Sequence, residues 1–413
     1  MKRFIRRCIL FAFLFLLISP ESILSQPQLP GRLSPQAQIS LLTVTPGREL
    51  YSTFGHSAIR IVDPPYQLDR IYNYGTFDFE EPGFYLKFTR GLLDYVLSAY
   101  SYSFAEYQYT EERRGIIQQT LALTPEMKQA LYRFLEWNYR PENRRYRYDF
   151  FFDNCATRIR DVFEKTLGEN LQLYLNPERR RSFRRYIDPY LVGHPVTHFG
   201  MDLGLGARSD RVASAREAMF LPDYLYESFA GATIAIEGQT LPFVARTDTL
   251  LWFPGADKIT PALPWSDIIL WGLFLVSGVL TYRALRSRKR SSPPNPWFDA
   301  ILFGLTGLAG AMILFLWFGT DHKVTPDNWN LLWAWPLHLV AAGLLISRRK
   351  RRWPGWYFAL YALLMVLVLA GWSFWPQEFH PAALPLALAL AVRSGWRGYF
   401  MILRPDVTRS GKI

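Results

Sequence analysis

One thiol and one imidazole carry the chemistry that this sequence offers. Cys155 stands in Phe-Phe-Asp-Asn-Cys-Ala-Thr-Arg (151–158), just before a helical pattern, and His56 stands in Gly-His-Ser-Ala-Ile-Arg (55–60), at the start of a strand pattern. The chain has two cysteines, and the other, Cys8, falls in an apolar N-terminal segment of the export type. An exported domain with a single thiol cannot close an internal disulfide, and an unpaired thiol in an oxidising compartment is a liability unless it is used. Asp153 or Asn154 can cap the helix that follows. Cys155 then lies in the first turn, where unpaired amides and the helix dipole favour an anion and lower a thiol pKa. The same amides, with that of Ala156, offer a place for an oxyanion. A thiolate with a histidine is equipment for acyl transfer through a thioester. The competing reading of a lone cysteine is a buried structural residue. The capped helix start and the export signal favour the nucleophile.

A third group should orient the imidazole. Ser57–Val62 and Arg70–Phe77 read as a hairpin across Asp63-Pro64-Pro65-Tyr66. Pairing Asp63 with Arg70 sets Arg60 opposite Asn73, and Asn73 then shares a sheet face with His56. A slip of one residue presents Tyr72 and Tyr74 instead. Asn73 is the expected orienter. His194 and His198 fall in a Pro- and Gly-containing stretch read as a loop. Neither a Cys-x-x-Cys nor a His-x-x-x-His arrangement is read as supporting a zinc site, so neither a metal nor a cofactor is expected.

The elements that position these residues belong to the first part of the chain. Ile39–Thr45 reads as a strand, Pro125–Tyr139 as a helix capped by Thr124, and Ala156–Leu167 as another with Ile159, Val162, Phe163 and Leu167 on one face. Residues 232–253 alternate enough for two or three more strands. The fold class expected there is α+β.

At 413 residues the chain exceeds one small domain, and hydropathy divides it. Met1–Ser25 reads as a signal peptide or an N-terminal anchor, 26–262 as an exported catalytic domain, and 263–413 as a membrane domain. Apolar runs at 265–282, 297–318, 331–346 and 356–375, with a weaker one at 381–392, predict an all-α bundle of four or five spans. Gly304, Gly307 and Gly310 suit a close helix contact. The net charge of +12 is concentrated in clusters such as Arg286–Arg290 and Arg348–Arg352, each directly after an apolar run. That is how cytoplasmic loops look, and no basic face for base reading is evident, so nucleic acid is excluded as a partner. The loops 319–330 and 376–380 then fall outside, together with residues 26–262.

Gly-His-Ser-Ala-Ile-Arg (55–60), Tyr-Asn-Tyr-Gly-Thr-Phe-Asp-Phe (72–79) and Tyr-Asp-Phe-Phe-Phe-Asp-Asn-Cys-Ala-Thr-Arg (148–158) resemble the N-terminal periplasmic domain of the Lnb-type lipoprotein N-acyltransferases. Asp-Asn-Trp-Asn-Leu-Leu-Trp-Ala-Trp-Pro-Leu-His (327–338) extends the resemblance into the tail. The His-before-Cys order is similar to the circularly permuted papain-like fold of lecithin:retinol acyltransferases and some NlpC-like hydrolases. The resemblance implies a multi-pass protein of the bacterial inner membrane with a periplasmic catalytic domain. Its partners would be lipoproteins and phospholipid or diacylglyceryl acyl donors. Cys155 would be the nucleophile, His56 the base and Asn73 a polar orienter. Asn154, Ala156, Arg158, Ser57 and Tyr74 would support them. His322, Asn328 and Asn330, on the outer loop, could meet headgroups or the acceptor amine. The alternatives are a cysteine peptidase or amidase acting on cell-wall peptides, and a membrane-anchored scaffold.

Overall fold

The computed structural model describes residues 29–77, 83–92, 94–255, 258–286, 295–347 and 353–403. The N-terminal segment 1–25 and the basic residues 287–290 and 348–352 lie outside the described residues. The strands are β1 (Gln38–Val44), β2 (His56–Asp63), β3 (Leu68–Thr76), β4 (Asp94–Ser101), β5 (Ile116–Leu121), β6 (Arg145–Arg147), β7 (Leu171–Gln172), β8 (Thr233–Ile236), β9 (Gln239–Pro242) and β10 (Val244–Leu251). Seven form an antiparallel sheet in the order β10-β5-β1-β2-β3-β4-β6, and β7-β8-β9 form a smaller one. Helices of this domain are α1 (Phe84–Thr89), α2 (Tyr102–Glu111), α3 (Pro125–Tyr139), α4 (Cys155–Leu167), α5 (Phe183–Leu191), α6 (Pro195–Gly204), α7 (Ala215–Ala218) and α8 (Pro222–Ala230).

The large sheet is covered on both faces. Ile39, Leu41, Ile59, Ile61, Tyr72 and Tyr74 meet Leu131 and Leu135 of α3 and Ile159 and Phe163 of α4. Leu42, Val44, Ala58 and Ile71 meet Tyr102, Ala105 and Tyr109 of α2. The period of two along each strand sends alternate residues to the two cores. The hairpin register differs from expectation by two residues. Asp63 pairs with Leu68 and Arg60 with Ile71, because a 3-10 turn at Pro64–Tyr66 closes with Gln67 left-handed and β3 starts early. An even shift preserves which residues share a face, so Asn73 still lies on the side of His56.

The rest of the described chain is helical: α9 (Trp265–Arg286), α10 (Trp297–Phe318), α11 (His338–Ile346), α12 (Trp353–Ala370) and α13 (Ala383–Leu403). Two of these, α9 and α10, are long and apolar enough to cross a membrane. The expected third span at 331–346 is not one helix. Trp329–Leu332 is a 3-10 turn, and regular helix begins only at His338, two residues past Pro336. The broken segment packs closely on α10, where a Cβ at Gly310 would lie 1.9 Å from Ala334 O and one at Gly307 would lie 2.6 Å from Leu339 N. The last helix is longer than its apolar run. Arg393 and Arg397 are buried in it and both pair with Asp299 of α10, with Arg393 Nη2 2.8 Å from Asp299 Oδ2.

The two halves dock. Phe199 and Leu203 of α6 pack into the core of the membrane helices. The Gly206 amide donates to Val324 O (2.9 Å) and the Ala207 amide to Asp327 O (3.1 Å). The Gln377 amide group donates to Leu205 O at 3.1 Å.

Candidate active site

Asn154 caps α4. Its Oδ1 accepts from the Thr157 amide at 3.0 Å, and the Thr157 hydroxyl accepts from the Asn154 amide at 2.7 Å. Asn154 Nδ2 ties the cap to Phe150 O (2.8 Å) and Phe220 O (2.7 Å). Cys155 is therefore the first residue of the helix, held at its positive end. The preceding turn closes on itself through the Asp149–Asp153 backbone pair (3.0 and 2.9 Å). Arg158, one turn on, donates to Asp153 Oδ2 at 2.6 Å and lies 4.1 Å from the Tyr146 ring centroid.

His56 begins β2 after Gly55, whose φ is +76° and where a Cβ would stand 2.9 Å from Val44 O. His56 and Cys155 share a hydrogen bond, and both keep partial exposure. The other His56 nitrogen, Nε2, is hydrogen-bonded to Asn73 Oδ1. Nε2 is then the donor, and Nδ1 is left to exchange a proton with the thiol. Asn73 is oriented in turn, since its Nδ2 donates to Thr76 Oγ1 at 3.2 Å and Thr76 Oγ1 shares a 2.6 Å bond with Ser98 Oγ.

That support depends on a strand irregularity. Residues 73 and 76 of a regular strand point to opposite faces. Between Tyr74 and Thr76 the β3–β4 register shifts, with Gly75 at φ +105°, and Thr76 turns back beneath Asn73. Gly75 also lies beside the reacting pair. A Cβ there would lie 3.8 Å from His56 Cε1 and 4.0 Å from Cys155 Cβ.

Burial acts first on both groups, pushing the thiol pKa up and the imidazole pKa down. Their mutual attraction and hydrogen bond outweigh it. Cys155 ends below the ordinary thiol value, helped by the Ser57 and Ala156 amides, and His56 ends above the ordinary imidazole value, helped by Asn73. The arrangement favours a thiolate–imidazolium pair.

Other residues named from sequence have different settings. Ser57 turns its amide to Cys155 while its hydroxyl is buried without a partner among the described residues. Tyr74 points into the opposite core and donates to Asn138 Oδ1 at 2.6 Å, so it does not replace Asn73. Asn328 and Asn330 are buried and donate to Leu203 O (2.8 Å) and Asp202 O (3.2 Å), which makes them docking residues. His322 Nε2 bonds Thr89 O at 3.2 Å. His198 lies within α6, not in a loop, and His194 is that helix's N-cap.

Sequence reading missed Gly75, Thr76 and Ser98. A glycine inside a strand pattern is the usual sign of a bulge and could have flagged the first two; nothing marks Ser98. It also missed Tyr148, next to the closed 149–153 turn and stacked on Tyr95 at 4.1 Å. Burial, and then the Cys155 charge, push its hydroxyl well above the ordinary tyrosine range, and that hydroxyl has no protein partner among the described residues.

A sheet-rich domain bearing a Cys–His–Asn cluster is thus seated on apolar helices, two of which are long and apolar enough to cross a membrane. The profile of the Lnb N-terminal periplasmic domain matches residues 33–187, and that of the Lnb transmembrane domain matches residues 258–404. Together the two matches cover well over half of the chain, and it belongs to the Lnb-type lipoprotein N-acyltransferase family. It is accordingly a membrane protein with a periplasmic domain. No curated protein and no solved structure matches it.

Proposed function

We propose that this protein N-acylates the lipidated N-terminal cysteine of lipoproteins, using Cys155 as nucleophile, His56 as base and Asn73 as orienter. The observation that carries this reading is the hydrogen-bonded Cys155–His56–Asn73 series at a helix start, in a domain docked on membrane helices. The His-before-Cys order and the helix-borne thiol against an antiparallel sheet support a permuted papain-like fold. The five described C-terminal helices support a multi-pass anchor in the inner membrane.

The chemistry balances without a cofactor. The Cys155 thiolate attacks the ester carbonyl of a phospholipid or diacylglyceryl donor. The carbonyl π electrons move onto oxygen, the ester C–O bond breaks as the intermediate collapses, and the leaving alkoxide takes the proton from His56. The free α-amine then attacks the thioester, His56 accepts the amine proton, and the amide forms as the thiolate leaves. The Ala156 amide at the helix start and the Tyr148 hydroxyl are the donors we assign to the oxyanion. An apolar wall of Phe54, Phe150 and Tyr190 runs into a cluster that includes Val324 of the membrane loop, which supports an acyl path towards the bilayer.

Mass spectrometry of a lipoprotein N-terminus tests the reading in cells carrying wild-type protein or Cys155→Ala. A third acyl chain on the α-amine only with wild type is expected. Equal triacylation in both strains would overturn the mechanism.

A further inference from the structure

His198 is not spare. It lies on α6, one turn before Asp202, so both side chains fall on the same helix face. His380 comes from the loop between α12 and α13, far along the chain, and its ring stands edge-on to that of His198 with centroids 4.8 Å apart. One ligand atom from each of His198, Asp202 and His380 lies within 4.8 Å of the others. His198 Nε2 is 3.6 Å from Asp202 Oδ2 and 3.1 Å from Asp188 Oδ1 on α5. Ligands on a tetrahedral zinc at about 2.0–2.2 Å stand roughly 3.3–3.6 Å apart, so the cluster is near that size and its widest gap closes by about 1 Å.

We propose that His198, Asp202 and His380 bind a first-row divalent cation, Zn²⁺ in the first instance, which clasps the periplasmic domain to the membrane domain. Two imidazoles and a carboxylate are a zinc-type donor set, which leaves the fourth position to water or to a movement of Asp188, a partner of His198 outside the three-residue cluster. Asp202 is buried, and its Oδ1 is fixed by Arg184 Nη1 at 2.7 Å, leaving Oδ2 turned towards His198. Arg184 also holds Asp210 at 2.7 Å, so Asp188, Asp202 and Asp210 together outweigh it and the pocket has negative charge to spare for a cation. Coordination has two costs. The proton that His198 shares with Asp188 and Asp202 must leave. The 3.1 Å bond from the Ala382 amide to His380 Nδ1 is exchanged for a metal bond, a small loss beside the coordination gained. His194 shares a His-x-x-x-His spacing with His198 but is the helix N-cap and stands outside the cluster.

The test does not depend on acyl transfer. The full-length chain, purified in detergent through a tag that binds no metal, is incubated with Zn²⁺, desalted and assayed by plasma mass spectrometry. Co²⁺ loading gives an independent visible spectrum. About one equivalent per chain is expected, falling below about a tenth in His198→Gln and in His380→Asn, which keeps an acceptor for the Ala382 amide. EDTA should lower the melting temperature of wild type alone, and Zn²⁺ should restore it. Failure of wild type to take up Zn²⁺, with no response to EDTA, would overturn the site. Metal retained undiminished in both variants would do the same.

Discussion

His56 Nε2 and Asn73 Oδ1 meet across β2 and β3 on a diagonal, beyond the last laddered pair, Ile59 with Tyr72. Extending that register puts Gly75, not Asn73, directly opposite His56. A direct partner would have to stand where the thiol approaches. The diagonal leaves that place open and still fixes the imidazole from behind.

That relationship ranks the two side chains. His56→Ala should slow N-acylation of a lipopeptide in vesicles by on the order of a hundredfold or more, the usual worth of a general base. Asn73→Ala should cost less, about tenfold, since it frees the ring without removing it. The pH profile of Cys155 alkylation separates the roles. In wild type the lowered thiol pKa and raised imidazole pKa give a reactive thiolate from below the ordinary thiol range upwards. Without His56 the burial effect is unopposed by an imidazolium, so the inflection should move to higher pH. An unmoved inflection in His56→Ala would remove the ion pair from the account.

Gly75→Ala addresses the bulge. The new methyl group meets the imidazole and Cys155 at ordinary contact distance, so crowding is minor; the left-handed φ is the problem. The strain is about 1–2 kcal/mol, and relief by straightening β3 would turn Thr76 away from Asn73. We expect a modest fall in melting temperature with a loss of rate close to that of Asn73→Ala. Thr76→Ala should show the same rate loss with less effect on stability. Full activity in both variants would show that the Thr76–Ser98 support is dispensable.

How much of this was legible depends on the range of the interaction. Thr124 and Pro125 announce the start of α3, and Asn154 announces that of α4, because caps are local. The face of Asn73 survived a wrong register because only an odd slip changes it. Pro336 breaks a segment whose hydropathy looks continuous, and Arg393 and Arg397 weaken an apolar signal although both pair with Asp299, distant in sequence. Pro195 and Gly200 flank His198 and give its stretch a loop-like composition, yet proline at a first helical position is a start signal. Its link to His380 exists only after the two halves dock.

Tyr148→Phe removes one oxygen atom that has no protein partner among the described residues. If that hydroxyl only fills space, the variant should be as stable and as active as wild type. If it donates to the oxyanion, the rate should fall by on the order of a hundredfold. Alkylation of Cys155 should change little in either case, because an alkyl halide generates no oxyanion. Single-turnover acylation measured beside alkylation distinguishes these outcomes, and equal loss in both assays would mean that Tyr148 acts on the thiol itself.

Gly206→Ala tests whether docking matters to catalysis. The chain leaving α6 passes so close to the membrane loop that a Cβ at Gly206 would lie 1.9 Å from Pro326 O, with Pro326 C and Thr325 O each 2.9 Å away. These are backbone atoms and cannot rotate aside, so the methyl group must push the loop off. The amide bonds from Gly206 to Val324 and from Ala207 to Asp327 should then loosen, and with them the seat of Asn328 on Leu203. His56, Asn73 and Cys155 themselves take no part in this contact, and the helix start is held by its own cap at Asn154. Cys155 should therefore alkylate at the wild-type rate, while hydrogen exchange rises around 203–207 and 324–328. Transfer to a vesicle-embedded lipopeptide should fall by about tenfold or more, because misplacing the thiol relative to the bilayer removes the alignment that both substrates need. Unchanged transfer alongside raised exchange would mean that the lipids reach Cys155 without the membrane loop holding the domain in place.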